Sequence, residues 1–230
     1  MRSGALNPRL NSAAELVRQG ATFADIGTDH AYLPLFLLEE GRICRAFCTD
    51  INKGPLESAR KNVAAAGMSD RCEFLLTDGA TSLAGRGITD YAICGMGGEL
   101  IADIISRAPE LATEEVSLIL QPMSRQSVLR KYLASAGFEI RCESYSCDAG
   151  KYYVCMLVKY SGVPRDIDDI EAEIGNKNCK IVNKDAQIGY LKSKYDAISR
   201  AVQGKKRGGE NAESEENILR AIADIRKDFA

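Results

Sequence analysis

The chain has 230 residues, 45% hydrophobic and 27% charged, and a formal net charge of −2. That suits one generous domain, or one domain with a helical appendage, and gives no global sign of a nucleic-acid partner, although the distribution of charge matters more than its sum. No apolar run nears the about 18 residues of a membrane span, and Met1-Arg2-Ser3-Gly4-Ala5-Leu6 lacks the apolar stretch of a secretory leader, so no membrane partner and a cytoplasmic location are expected.

In chain order, residues 1–20 read as a helix, with Leu6, Leu10, Ala13, Ala14, Leu16 and Val17 near a helical period and Gly20 as the stop. Strands and helices then alternate. Strand 22–26 leads into a helix at about 31–40. Strand 44–49 is closed by Asp50 and followed by helix 55–66. Strand 73–77 runs into Asp78-Gly79. Strand 91–94 precedes Gly95-Met96-Gly97-Gly98 and helix 99–107, and strand 116–120 precedes helix 125–136. This βαβα rhythm predicts a parallel sheet with right-handed crossovers.

Two further strands, 138–147 and 152–160, are joined by Asp148-Ala149-Gly150-Lys151, a turn short enough to demand an antiparallel hairpin. A doubly wound sheet ending in such a hairpin is the Rossmann-like α/β sheet of class I methyltransferases; an NAD-type sheet would continue with parallel units. After Pro164 no strand signal remains. Helices at about 184–203 and 212–228, with a break at Gly204–Gly209, predict a coiled-coil-like helical hairpin. The division expected is a methyltransferase domain at 1–162 and a helical domain at 163–230.

Phe23–Pro34 carries the most chemistry. Strand, Gly27 turn and helix start form the edge where doubly wound sheets hold a cofactor. A dinucleotide fingerprint needs three glycines so that backbone can press on a pyrophosphate. Here only the first is present, and Asp29 and His30 stand where open backbone would be required. A pyrophosphate would meet a carboxylate; a cationic, phosphate-free sulfonium would not object, so S-adenosylmethionine is the expected cofactor. Asp25 would face the amine of its methionine part or hold the loop. Asp50 would accept the ribose hydroxyls, although it could also cap the next helix. Asp78 would accept from the adenine amine, with Gly79 leaving room for the ring. Gly95, Met96 and Gly97 would leave room for a flat methyl acceptor, and the Gln121 amide would line its pocket. Asp29 could accept from a base's exocyclic amine, and Tyr32 could stack or donate. His30, the sole histidine, would touch cofactor or substrate without serving as a base, because a heteroaromatic ring nitrogen already carries the lone pair that attacks. The eight cysteines include no CxxC pair, so structural thiols and no metal are expected.

Ala24-Asp25-Ile26-Gly27-Thr28-Asp29-His30-Ala31-Tyr32-Leu33-Pro34 resembles the loop of the bacterial tRNA (adenine-22-N1)-methyltransferases, in which serine is common at the Thr28 position. Similar too are Asn7-Pro8-Arg9-Leu10, Gly95-Met96-Gly97-Gly98, Leu118-Ile119-Leu120-Gln121-Pro122 and Gly150-Lys151-Tyr152-Tyr153. The resemblance covers about 6–160 and extends to the helical tail. It implies methyl transfer from S-adenosylmethionine to N1 of a D-loop adenine in tRNA, without metal. It puts Gly27, His30, Leu33, Asp50, Asp78 and Gly79 at cofactor positions and Arg9, Asp29 and Tyr32 near the adenine. Met123 and Ser124 depart from an Asn-containing pattern.

Between Gly175 and Arg207 lie Lys177, Lys180, Lys184, Lys192, Lys194, Arg200, Lys205, Lys206 and Arg207, against Asp185 and Asp196 alone. That local excess suits tRNA phosphates, with Lys205, Lys206 and Arg207 as the contacts expected, although such runs are often just solvated helix faces. A monomer or weak dimer is expected. The competing readings are a small-molecule methyltransferase, an NAD enzyme on a similar sheet, and a non-catalytic tRNA-binding protein on a methyltransferase fold.

Overall fold

The structure is a computed structural model; it describes residues 6–176 and 178–227, with the side chains of Arg226 and Lys227 left aside. Of the residues singled out above, 1–5, Lys177 and 228 lie outside the described residues.

Eight strands form one sheet in the order β3-β2-β1-β4-β5-β7-β6-β8. Strands β1 (Ala21–Ile26), β2 (Ile43–Asp50), β3 (Cys72–Leu76), β4 (Asp90–Gly97) and β5 (Ser117–Ser124) run parallel. The central ones are buried on both faces, with Phe23, Ala24, Ala92, Ile93, Ile119 and Leu120 inaccessible to solvent, which is why they read as unbroken apolar runs. Helices α1 (Pro8–Ala14), α2 (Tyr32–Glu39) and α3 (Lys53–Ala65) cover one face. Helices α4 (Gly98–Ser106) and α5 (Gln126–Ser135) cover the other. Strand order reverses between β1 and β4, so the crevice of the fold opens at their carboxyl ends.

Strands β6 (Phe138–Asp148) and β7 (Lys151–Tyr160) form the expected hairpin, with β7 antiparallel to β5. Its turn residues Ala149 and Gly150 both have positive φ, at 47° and 76°, the backbone of a turn that matches strand twist. Since β6 runs toward the carboxyl ends of the parallel strands and β7 away from them, the hairpin tip stands on the same side as the crevice.

Three local expectations change. The first helix is confined to Pro8–Ala14, where Asn7 caps it by accepting from Leu10 N at 2.8 Å. Beyond it the chain turns so that Arg18 reaches Asp90, wholly buried at the start of β4, with Nη2 at 2.6 Å. Against the absence of any strand after Pro164, helix α6 (Asp169–Ile174) is followed by β8 (Lys180–Val182), which adds to β6 in parallel. Helix α7 (Lys184–Arg207) runs through Gly204 without the expected break, so Lys205, Lys206 and Arg207 form its last turn, and α8 (Glu213–Lys227) packs beside it. A glycine costs an exposed helix about 1 kcal/mol. Here Lys205 meets Glu215 at 2.6 Å and Lys206 meets Glu216 at 2.5 Å across the two helices, holding that turn in place.

The segment after the hairpin is tied to the sheet by a buried charge network. Arg130 of α5 and Glu143 of β6 pair at 2.8 Å with both side chains 1% exposed. Tyr145 donates to Glu143 at 2.6 Å, and Arg130 donates to the Ala172 carbonyl at the end of α6 at 2.9 Å. Burial works against the Arg130 charge, but the Glu143 carboxylate outweighs it and keeps the guanidinium protonated. Helix α7 lies close on β7 at Gly189, where a Cβ would stand 2.2 Å from the Tyr152 ring.

Candidate active site at the carboxyl rim

The turn after β1 is shaped by backbone that few side chains tolerate. Gly27 has φ +75°, and a Cβ there would lie 2.1 Å from Met96 Cε. Ala31 has φ 55° and starts α2. Between them the amides of Gly27 and Thr28 both donate to the Thr49 carbonyl of β2 at 2.8 Å. The Thr28 hydroxyl donates to Asp25 at 2.6 Å, and Asn62 of α3 donates to the His30 carbonyl at 2.9 Å.

Asp25 is buried and pushed up to about 6, first by desolvation, against the Thr28 bond that lowers it, and with the Asp50 charge adding to the rise. Asp50 ends β2 half-buried and accepts from the Asn52 amide at 2.7 Å; it does not cap α3, whose cap is Asn52. Asp29 is 79% exposed and lies 3.5 Å from His30 Nε2. His30 stacks on Tyr32, with ring centroids 5.1 Å apart, and Tyr32 is half-exposed. The Leu33 side chain is turned into the core beside Phe23 and Leu37. Asp78, just past β3, is held below the usual carboxylate range by Arg107, which donates to it at 2.7 Å. An adenine amine would have to share this carboxylate with a guanidinium, a partner the sequence reading did not foresee. Gly79 has φ +71°, and a Cβ there would make an ordinary contact with Ile104.

Gly95, Met96 and Gly97 belong to β4 itself and not to a loop after it. The need for small residues comes partly from packing: a Cβ at Gly98 would stand 2.3 Å from the Arg125 carbonyl oxygen. Gln121, expected to line the acceptor pocket, is fully buried. Its amide is used inside the protein, where Oε1 accepts from Arg9 Nη1 at 2.6 Å and from the Gly95 amide at 3.1 Å. That also puts the Arg9 guanidinium on Gln121. Lys205 and Lys206 are paired with Glu215 and Glu216, and Arg207 is exposed at the end of α7, well separated in sequence from the strand ends.

Sequence reasoning passed over Thr28 and Asn62 as site residues. For Thr28 a signal existed, since threonine and serine share the hydroxyl that Asp25 requires; Asn62 acts on a carbonyl 32 positions away and gave none. It also missed the exposed apolar side chains that share the strand ends with Tyr32. Tyr32, Ile51, Leu76, Leu100 and Met123 are each at least 45% exposed, and all stand at or just past the ends of β1 to β5. Exposed apolar side chains gathered around acidic groups suit flat, cationic, weakly hydrated ligands. The rim thus fits an adenosyl sulfonium: carboxylates at the ends of three adjacent strands, a glycine turn at positive φ, and exposed apolar side chains at the same strand ends.

Comparison with known proteins bears on this rim. A family model described as a methyltransferase domain matches residues 6–156. The tRNA (adenine(22)-N(1))-methyltransferase of Bacillus subtilis is 29% identical over 232 residues, covering 95% of this chain and 97% of its own. Streptococcus pneumoniae Sp1610, put forward as a tRNA (m1A22) methyltransferase and solved with S-adenosyl-L-methionine, is 30% identical with a TM-score of 0.79, over 94% of this chain and 100% of that one. TrmK of M. capricolum, solved with S-adenosyl-homocysteine, is 27% identical with a TM-score of 0.74, over 96% of each chain. With the sheet order, the terminal hairpin and the glycine turn all in agreement, the chain belongs to the methyltransferase-domain family, among the bacterial tRNA (adenine-22-N1)-methyltransferases.

Proposed function

We propose that this protein transfers a methyl group from S-adenosylmethionine to N1 of adenine 22 in the D-loop of tRNA. The observation that carries the reading is the acidic rim around the Gly27 turn, in a chain 30% identical to a protein solved with S-adenosyl-L-methionine. When bound, the donor supplies an electrophilic methyl on a sulfonium. Asp50 takes the ribose hydroxyls, Gly27 admits the amino-acid part, and Asp25 keeps the turn in shape through Thr28. His30, the Leu33 backbone, Asp78 and Gly79 complete the donor site. Adenine N1 carries its own lone pair, so the protein's task is orientation and charge stabilisation, not proton removal. Asp29 accepts from the exocyclic amine and faces the positive charge that develops on the ring. Tyr32, stacked on His30, offers its other face to the base.

The end of α7 meets the tRNA backbone. Lys205 and Lys206 are shared with α8, which makes exposed Arg207 the main phosphate contact of the three. A tRNA substrate places the work in the cytoplasm. The experiment is transfer of labelled methyl to unmodified tRNA, followed by nucleoside analysis. Label in 1-methyladenosine, lost when adenine 22 is replaced by guanine, is expected. Label in a small molecule, or donor binding without transfer, would overturn the reading.

A further inference from the structure

Gln121 has no access to solvent, yet its side chain joins three elements around the acceptor side of the rim. Its Oε1 receives Arg9 of α1 and the Gly95 amide of β4, while Nε2 turns back on its own strand, 3.3 Å from the Pro122 carbonyl oxygen and 3.6 Å from Met123 Sδ. Gly95 has φ +80°, at the point where the register of β4 against β5 slips between Cys94 and Met96. A bulge leaves a backbone amide without its ladder partner, and a buried amide must find another; the Gln121 side chain is that partner. The next residue, Met96, rests its methyl on the Gly27 turn. A continuous line of contacts therefore runs from α1, through the β5 amide and the β4 bulge, to the turn that would receive the donor.

We propose that Gln121 and Arg9 are positioning residues, which hold the Gly95–Met96 bulge against the Gly27 turn and so set where the methyl and the ring nitrogen meet, neither of them touching the base. This rests on the function proposed above. Gln121→Leu removes the acceptor at nearly constant volume, and Gln121→Glu keeps an acceptor for both donors. In Gln121→Leu, kcat for tRNA methylation should fall about 100-fold, as a displacement near 1 Å does, with the tRNA KM and the S-adenosylmethionine Kd changed by less than about 3-fold. Gln121→Glu should recover at least about 10-fold of that loss, because its carboxylate accepts the same two bonds, while its second oxygen meets the Pro122 carbonyl with no proton to give. Arg9→Met should copy Gln121→Leu, and the double variant should be no worse than either alone, since all act through one amide. Hydrogen exchange at the Gly95 amide should accelerate in Gln121→Leu and not in Gln121→Glu.

Full kcat in Gln121→Leu, a tRNA KM that rises as far as kcat falls, or a Gln121→Glu variant as impaired as the leucine one would each overturn the inference. If Gln121→Leu does not fold, Arg9→Met on the half-exposed face of α1 carries the same test. If the parent protein forms no 1-methyladenosine, the proposed function falls, and the Gly95 exchange alone then decides the positioning role.

Discussion

Two charged regions of this molecule are built in opposite ways. At the junction between sheet and tail, Arg130 and Glu143 are sealed from solvent and hydrogen-bonded to each other, with Tyr145 donating to Glu143 and Arg130 donating to the Ala172 and Glu173 carbonyls. At the carboxyl rim, Asp29 and Asp78 are 79% and 63% exposed, and among the described residues Arg107 is the one cation paired with any of the rim carboxylates Asp25, Asp29, Asp50 and Asp78, apart from the His30 contact with Asp29. Asp25 shows the cost of that arrangement: buried, with Asp50 raising its pKa further, it is pushed up to about 6. Charges neutralised inside the chain serve the fold, whereas a surplus of one sign at an open edge awaits a ligand of the other.

Four variants test this contrast. The largest effect is expected at the junction. Glu143→Ala strands a buried guanidinium and should lower the unfolding free energy by about 3–5 kcal/mol, read by urea titration, with the S-adenosylmethionine Kd of the folded protein unchanged; an altered Kd would show that the two regions are coupled. Asp25→Asn comes next and acts with the opposite sign. Its folded-state pKa lies above the ordinary aspartate value of 3.8, so the folded protein binds the extra proton between there and about 6, and stability is lost as pH rises through that window. At pH 8 the variant should therefore be more stable than the parent by about 2–3 kcal/mol, with the gap closing by pH 4, while donor affinity falls. A gap independent of pH would remove the ionisation argument. The smallest effect is at the surface: Lys205→Glu with Lys206→Glu breaks two solvent-screened pairs and should leave the urea midpoint almost unchanged, whereas Arg207→Glu should reduce the salt slope of tRNA binding by about one unit.

The architecture from β1 to β7 was legible because buried parallel strands leave uninterrupted apolar runs, closed by Gly or Asp where the chain turns. Asp25, Gly27 and Asp50 were legible for the same reason: their place follows from strand ends that local sequence marks. What escaped depended on distant partners. The Arg107 bond to Asp78 spans 29 positions, and neither residue type nor spacing announces it. Gln121 looked like a rim residue because it stands at the end of the fifth strand; the bulge in β4 and the reach of Arg9 engage its amide inside the protein. Strand β8 has three residues and gains its identity from the open edge of β6, not from its own pattern. Helix α7 overrides Gly204 because α8 supplies partners that a single-helix reading does not contain.

The contact between Gly189 and Tyr152 reaches beyond packing into descent. While the tyrosine ring keeps its place, position 189 has room for a hydrogen and nothing more, so the glycine cannot change before the ring does. A lineage that trims the ring could afterwards accept a methyl on the helix; one that adds the methyl first would prise the helix off the hairpin. History at this seam is therefore ordered, and the two sites should be inherited as a pair.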